Sequence, residues 1–353
     1  MPATLDLAPI TRHMRAMYAS RLLIAAVHHL DVFEQFGDGP QTIPALQRRL
    51  GLSDRPAMVL FPALCAMGML TRDAVGKLAV SEIGRCLTTA GQPNLKRYVG
   101  LEKDDAGVLE MAQRLCNDGP LSAPAGIAYT KEANEPSPMD DPEIARYLTL
   151  ALAGRAQYLA PLVADALPQR GGHLLDVAGG SGVFAYEWLL RNPESTATVL
   201  DRAPVLAVAS EFLAEYACSG RPGAATLTER VRLVPGNMLD DPLPRAEIVL
   251  AASLFHDWPE PTCEKLARRF AAVLEPGGEL WVHDMFLDDT LDGPLAATDY
   301  SAQLFWVTKG RVYSRREYRR WFASAGLVTI EQNIPTRVDY GLIAARKPAA
   351  EKA

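Results

Sequence analysis

Apolar positions in the first third of the chain recur at helical spacing and on more than one side. The stretch MRAMYASRLLIAAVHHLDVFEQF carries more of them than a single stripe needs, so it predicts a helix buried in a core or against a second subunit. TIPALQRRLG follows, with Thr42 placed to cap a second helix and Gly51 to stop it. RPAMVLFPALCAMGML predicts a third, buried helix, and LTRDAVGKLAVSEIG predicts two short strands around a turn at Gly76. Helix, turn, helix and hairpin is the order of a winged helix. Residues 94–141 are mixed, with the loop TKEANEPSPMDDPE near their end. Asp141 and Pro142 then open a long helix, the acid as cap and the proline in the first turn.

After Gly172 the period changes. HLLDVAG, TATVLDR, RVRLVPG, AEIVLAAS and GGELWVHDM are short apolar runs, and they alternate with the helical segments VFAYEWLLRN, VLAVASEFLAEYA and PTCEKLARRFAAVL. Strands alternating with helices predict an α/β fold with a doubly wound, mostly parallel, Rossmann-like sheet. Ligands of such sheets sit at the carboxyl ends of the strands. The pattern divides the chain into a mostly helical winged-helix module over 1–110, a helical linker and substrate cap over 111–170, and the Rossmann-like domain over 171–348. The tail beyond Pro348 is expected to fray.

Charge and composition narrow the function. The formal charge of −6 leaves no basic footprint for nucleic acid. The would-be recognition helix carries Arg55 near its start and otherwise MVLFPALCAMGML, which offers nothing to read base edges. A winged-helix regulator is therefore disfavoured, and the module is expected to pack against something. No apolar run has the length of a membrane span, and the N-terminus lacks a signal pattern. The five cysteines are scattered without a Cys-x-x-Cys pair, as reduced thiols would be. Together these predict a cytoplasmic protein.

Candidate chemistry starts at LLDVAGGSGVF. The spacing fails the dinucleotide pattern Gly-x-Gly-x-x-Gly, and the Gly-Lys-Ser/Thr of a phosphate loop is absent. Asp-x-Gly-x-Gly-x-Gly does fit, with Ala178 in the first glycine position. The next strand ends in Asp201, where an acid can bind ribose hydroxyls. A nucleoside without a diphosphate satisfies both features. Asn237 and Met238 end another strand, where an amide can pair with an adenine edge and an apolar neighbour can lie on its face. His256 follows the next strand, and Asp284 ends the one after it.

The run DVAGGSG, VLD, GNMLDDPLP, LFHDWPE, LEPGGELWVHDMFLDD and YSAQLFWVTKGRVYSRREYRRWFASAGL resembles the S-adenosylmethionine-dependent O-methyltransferases of the acetylserotonin/caffeate type. The resemblance covers nearly the whole chain. It implies a cofactor, S-adenosylmethionine, a small-molecule acceptor from secondary metabolism such as antibiotic biosynthesis, and a homodimer built on the N-terminal module. It implies that Asp176, Ala178, Gly179, Gly180 and Gly182 border the methionine part of the cofactor, that Asp201 holds the ribose, that Asn237 and Met238 meet the adenine, and that Ser253 lies near the cofactor's edge. His256 takes the place of the general base and Asp284 that of the carboxylate orienting it.

A histidine titrating near neutrality suits removal of a proton from a hydroxyl. The sequence departs from the family where KGRVYS sets Val312 in the place of a second acid beside the base. Phe255, Trp258, Gln303, Phe305, Trp306, Tyr158 and Met111 are candidates for the acceptor pocket, with core packing the competing role for the aromatic residues. Two other reactions compete. One is C-methylation of an activated carbon, such as that of a 2-oxo acid, with a metal held by His256 and Asp257. The other is a non-methylating use of the same cofactor. His283, alternating with Val282 on a buried strand, is read as structural.

Overall fold

The computed structural model describes residues 5–119 and 137–349. The first half of the loop expected from Thr130, the part of the 111–170 stretch before it, and the last residues of the tail lie outside the described residues. The chain forms two compact units, Met1–Ala128 with Phe286–Arg315, and Tyr129–Met285 with Arg316–Ala353.

The division is interleaved, unlike the consecutive stretches 1–110, 111–170 and 171–348. The reason lies in a late helix whose apolar residues, Ala302 and Phe305, are buried in the same core as the N-terminal helices.

In the first unit, α1 (Ala8–His28), α2 (Ile43–Leu50) and α3 (Asp54–Ala66) follow one another. Thr42 accepts a hydrogen bond from the Ala45 amide at the start of α2, and Gly51 ends it in the left-handed region. The hairpin β1 (Leu70–Arg72) and β2 (Leu78–Val80) turns at Gly76, whose φ is 84°. Further along come α4 (Ala106–Asn117), the short pair β8 (Phe286–Leu287) and β9 (Tyr313–Ser314), and between those two the helix α9 (Leu295–Val307). The helix, helix, hairpin order read from the sequence is present.

α3 is apolar on every side because every side is covered: Val59, Leu60, Phe61, Ala63 and Leu64 are buried. Its arginine is tied into the unit. The Arg55 guanidinium donates to the carbonyls of Phe305, Thr308 and Gly310, and lies 4.6 Å over the Phe305 ring. The Phe305 and Thr308 carbonyls end α9, where helix geometry leaves acceptors without partners and a cation is favoured. Arg114, buried on α4, adds a bond to the Trp306 carbonyl.

The second unit carries a seven-stranded sheet in the order β10-β11-β7-β6-β3-β4-β5. The strands are β3 (His173–Val177), β4 (Thr196–Asp201), β5 (Val231–Pro235), β6 (Ala246–Ala252), β7 (Leu274–Asp284), β10 (Val328–Pro335) and β11 (Gly341–Arg346). β3 to β7 are parallel, and β11 and β10 close the sheet antiparallel on β7. The order reverses at β3, which lies between β6 and β4, so the crevice for a ligand opens at its carboxyl end.

The helices of this unit are α5 (Pro142–Ala166), α6 (Val183–Arg191), α7 (Ala203–Ala217), α8 (Glu260–Val273) and, from its second residue, α10 (Arg315–Ser324). Asp141 caps α5 by accepting from the amides of Glu143 and Ile144. Among the described residues no helix is long and apolar enough to cross a membrane.

Replacing Arg55 by alanine strands three carbonyls at and just beyond the end of α9. Arg55→Ala is expected to cost about 2–3 kcal/mol of stability, read as a lower denaturant midpoint at unchanged slope. An unchanged midpoint would show that the carbonyls find other donors.

Candidate active site

The parallel strands bring the sequence-marked residues to one edge of the sheet. Asp176 lies beside Val199 of β4 and Leu250 of β6. The backbone leaves β3 through Ala178, Gly180 and Gly182, all at positive φ (52°, 57° and 75°). Ala178 thus adopts a conformation that costs a residue with a side chain about 1–2 kcal/mol. Gly179 has no room for one, since a Cβ would stand 2.8 Å from both the Asp176 carboxylate carbon and a Val199 methyl. A Cβ on Gly180 would project into open space instead, so at this residue the bare backbone faces outward.

Asp176 is fully buried, and neither of its carboxylate oxygens has a hydrogen-bond partner of good geometry. Burial, and then the charge of Asp201, push its pKa up to about 8, with weak relief from the Ala185 amide in the first turn of α6. Asp201 is half-buried and differently placed. It accepts from the Gly180 amide at 2.9 Å and from its neighbour Arg202 at 2.7 Å. Burial still outweighs those bonds and pushes its pKa up to about 6. The Gly180 bond joins the glycine turn to the end of β4.

Asn237 and Met238 follow β5, but the amide is engaged locally. Its Oδ1 accepts from the Leu239 amide and its Nδ2 donates to Asp240. This closes an Asx turn and leaves its side chain less able to meet an adenine edge than the sequence suggests. Met238 is buried. Ser253, just past β6, has φ 54° and donates its amide to the His283 carbonyl.

His256 and Asp284 meet. His256 Nδ1 lies 2.5 Å from Asp284 Oδ1, both groups buried. Oδ1 also accepts from the Met285 amide at 2.8 Å, and Oδ2 accepts from the Tyr318 hydroxyl at 3.0 Å. Burial disfavours the imidazolium, yet Asp284 and then Asp257 outweigh it and raise the His256 pKa above its ordinary value. Asp257 Oδ1 stands 3.6 Å from Nε2, and burial pushes its own pKa up to about 6. The positive charge of Arg155, on α5, acts on both groups against protonation.

His283 is structural, as read. Its Nε2 pairs with Thr336 Oγ1 at 2.9 Å and its ring stacks on Tyr340. Burial pushes its pKa down to about 3, so it stays neutral.

The acceptor candidates divide. Phe255 is fully buried, stacked on Trp321 and edge-on to Phe270 and Tyr318. It is a core residue with no surface for a ligand, which corrects its assignment to the pocket. Trp258 is half-buried. Tyr158 is buried, with the Arg337 guanidinium 5.0 Å over its ring.

Gln303 and Trp306 lie on α9 of the first unit, both half-buried. The Trp306 ring takes the guanidinium groups of Arg114 at 4.6 Å and Arg21 at 5.4 Å. Phe305 and Met111 are core. Val312 is buried and donates its amide to Ser301 Oγ. Among the described residues no group of three or more His, Cys, Asp or Glu is arranged to hold a metal ion. Tyr318 is the member of this site that the sequence did not mark.

Comparison with known proteins identifies the family. Residues 162–328 match the model of an O-methyltransferase domain. A crystal structure of an O-methyltransferase family 2 protein from Planctomyces limnophilus, in complex with apigenin, superposes with a TM-score of 0.84 at 35% identity, over 98% of this chain and 97% of that one. The chain belongs to the S-adenosylmethionine-dependent O-methyltransferase family. The 3-hydroxy-5-methyl-1-naphthoate 3-O-methyltransferase of Streptomyces sahachiroi is 28% identical over 88% of this chain and 86% of its own length. Human N-acetylserotonin methyltransferase, solved with S-adenosylmethionine, shares the fold, with a TM-score of 0.56 at 21% identity over 99% of this chain and all of that one.

The cofactor of the family is a cation, with an ammonium and a sulfonium. The residues present fit it: a buried carboxylate with no hydrogen-bond partner of good geometry, Asp176, borders a turn whose Gly180 backbone faces open space. An unpaired buried acid is costly until a cation or a donor arrives.

Relieving the left-handed strain at Ala178 should stabilise this methyltransferase. Ala178→Gly is expected to add about 0.5–1 kcal/mol, seen as a higher melting temperature. A lower one would show that the Ala178 methyl makes packing worth more than the strain.

Proposed function

We propose that His256 is the general base for methyl transfer to a hydroxyl oxygen of a small aromatic natural product, and that Asp284 orients it. The observation that carries this reading is the buried His256–Asp284 hydrogen bond at the ligand end of the sheet. When bound, S-adenosylmethionine supplies an electrophilic methyl group. Asp284 takes the Nδ1 proton of His256 in a hydrogen bond, which makes Nε2 the basic nitrogen. A phenol, with a pKa of about 10, needs such a base to become a good nucleophile near neutral pH. The imidazolium that forms is stabilised by Asp284, and Asp257 adds to this from 3.6 Å.

Around the cofactor we assign Asp201 to the ribose hydroxyls and Asp176 with the glycine turn to the methionine end. Met238, Ser253 and the backbone at Asn237 are assigned to the adenine side. Trp258, Tyr158, Gln303 and Trp306 remain the assignments for the acceptor. An aromatic hydroxyl is supported by the Planctomyces relative, solved with apigenin, and by the Streptomyces relative, named for a hydroxynaphthoate. Relatives in Streptomyces also support a role in secondary metabolism.

We further propose a homodimer. α1 shows Ile10, Met14 and Met17 to solvent at helical spacing, a face suited to a second copy. The five free cysteines accord with a cytoplasmic setting.

His256→Ala is expected to lower turnover about 10²–10⁴-fold, with affinity for S-adenosylmethionine unchanged by calorimetry. Apigenin serves as the acceptor probe, alongside a panel of hydroxylated aromatics. Retained turnover, or collapse of cofactor affinity, would overturn the base assignment.

Protonation should be linked to cofactor binding. With Asp176 at about 8 and Asp201 at about 6, a cation and its hydroxyls favour the ionised forms. Binding at pH 7 therefore releases protons, and affinity falls as pH drops from 8 to below 6. Calorimetry in buffers of different ionisation enthalpy reads the release. Proton uptake would contradict the placement of both acids.

A further inference from the structure

Asp284 divides its two oxygens. Oδ1 serves His256 and the Met285 amide, while Oδ2 accepts from the Tyr318 hydroxyl at 3.0 Å. Tyr318 is fully buried on α10, and its ring is fixed on several sides. The Trp321 ring lies 5.0 Å away, Phe255 5.4 Å and Phe322 6.1 Å. Phe255 is the residue before His256, so the ring that steadies the phenol is one peptide from the imidazole. Three separate stretches of chain meet at this carboxylate.

We propose that Tyr318 is a positioning residue for the reaction: its hydroxyl fixes Asp284 by the oxygen that His256 does not use and, by sharing that carboxylate's charge, keeps the imidazole ready to take a proton. The inference rests on the reading of His256 as the base.

The physical case is one of balance. A base must be neutral before the acceptor arrives. His256 faces Asp284 and His283 from β7, Asp257 from its own turn, and Arg155 from α5. The acids favour a charged imidazole and Arg155 opposes it, while His283 stays neutral. A hydrogen bond to the charged form of a carboxylate stabilises that form and weakens its hold on a neighbouring proton. Tyr318 does this without adding a charge to a buried site. It also satisfies a carboxylate oxygen that would otherwise be buried without a partner. The tyrosine acts through Asp284 and is placed at no reacting atom.

The test follows the His256 imidazole itself by NMR titration of full-length protein carrying ¹⁵N-labelled histidine, with the signal assigned by its loss in His256→Ala. Tyr318→Phe keeps the ring among Trp321, Phe255 and Phe322 and removes only the hydroxyl. The His256 midpoint is expected to rise by about one pH unit. 3-Fluorotyrosine at position 318 is a stronger donor and should move the midpoint down, so the test survives if the phenylalanine variant folds poorly. A midpoint that stays put in both proteins, or moves the other way, would overturn the inference. Failure of the base assignment is distinguishable: His256→Ala would then transfer methyl groups normally, whatever the titration shows.

Discussion

A carboxylate shut away from water must find its partners inside the protein, and Asp284 is where this chain meets that demand most fully. A histidine, a backbone amide and a phenol surround it. Each comes from a different local structure, so the end of β7, the turn after β6 and the start of α10 are held to one another through a single acid. The sheet supplies the precision. Ala252 of β6 pairs with His283 of β7, and Ser253 bonds back to the same residue, which fixes the separation of the two strand ends before any side chain is placed.

Asp176 shows the opposite solution on the same sheet edge. It is as deeply buried as Asp284, yet its oxygens have no hydrogen-bond partner of good geometry. One acid is completed within the protein, by partners on both of its oxygens. The other is left incomplete beside a glycine turn, where a cationic cofactor is the group able to complete it. Asp201, on the neighbouring β4, is held by the Gly180 amide and thereby coupled to the turn. The raised pKa values of Asp176 and Asp201 have a common cause in burial, and both are of the kind a bound cation reverses.

Much of this was legible in the residues. The strands of the parallel sheet are buried on both faces, so they appear as short apolar runs, and the glycine turn and the acid after β4 follow at fixed offsets. His256 and Asp284 were visible because one closely follows a strand and the other ends one. Tyr318 was not, because a tyrosine amid Arg and Trp on a helix carries no pattern that distinguishes a carboxylate partner from core filling. Asn237 misled in the other direction, since nothing in GNMLDD says that its amide closes its own turn. Phe255 misled because an aromatic residue beside a histidine at the ligand end of the sheet looks like pocket until its neighbours are known. The hairpin of β10 and β11 escaped notice partly because β10 is an edge strand with most of its residues open to solvent. Interleaving was invisible because it depends on which core accepts Ala302 and Phe305.

That interleaving has a bearing on how the protein is made. The N-terminal helices leave the ribosome long before residues 286–315, yet Ala302 and Phe305 belong to their core, and Arg55 has its carbonyl partners there. The first unit to emerge is thus among the last to be finished. It has to wait, with apolar surface uncovered, while the sheet of the other unit is being synthesised. During that interval a chaperone or a neighbouring nascent chain has something to hold. The segment that ends the wait begins directly after Asp284 and Met285 and ends just before Tyr318, so closing the first unit and bringing the phenol to Asp284 fall within the same short stretch of translation.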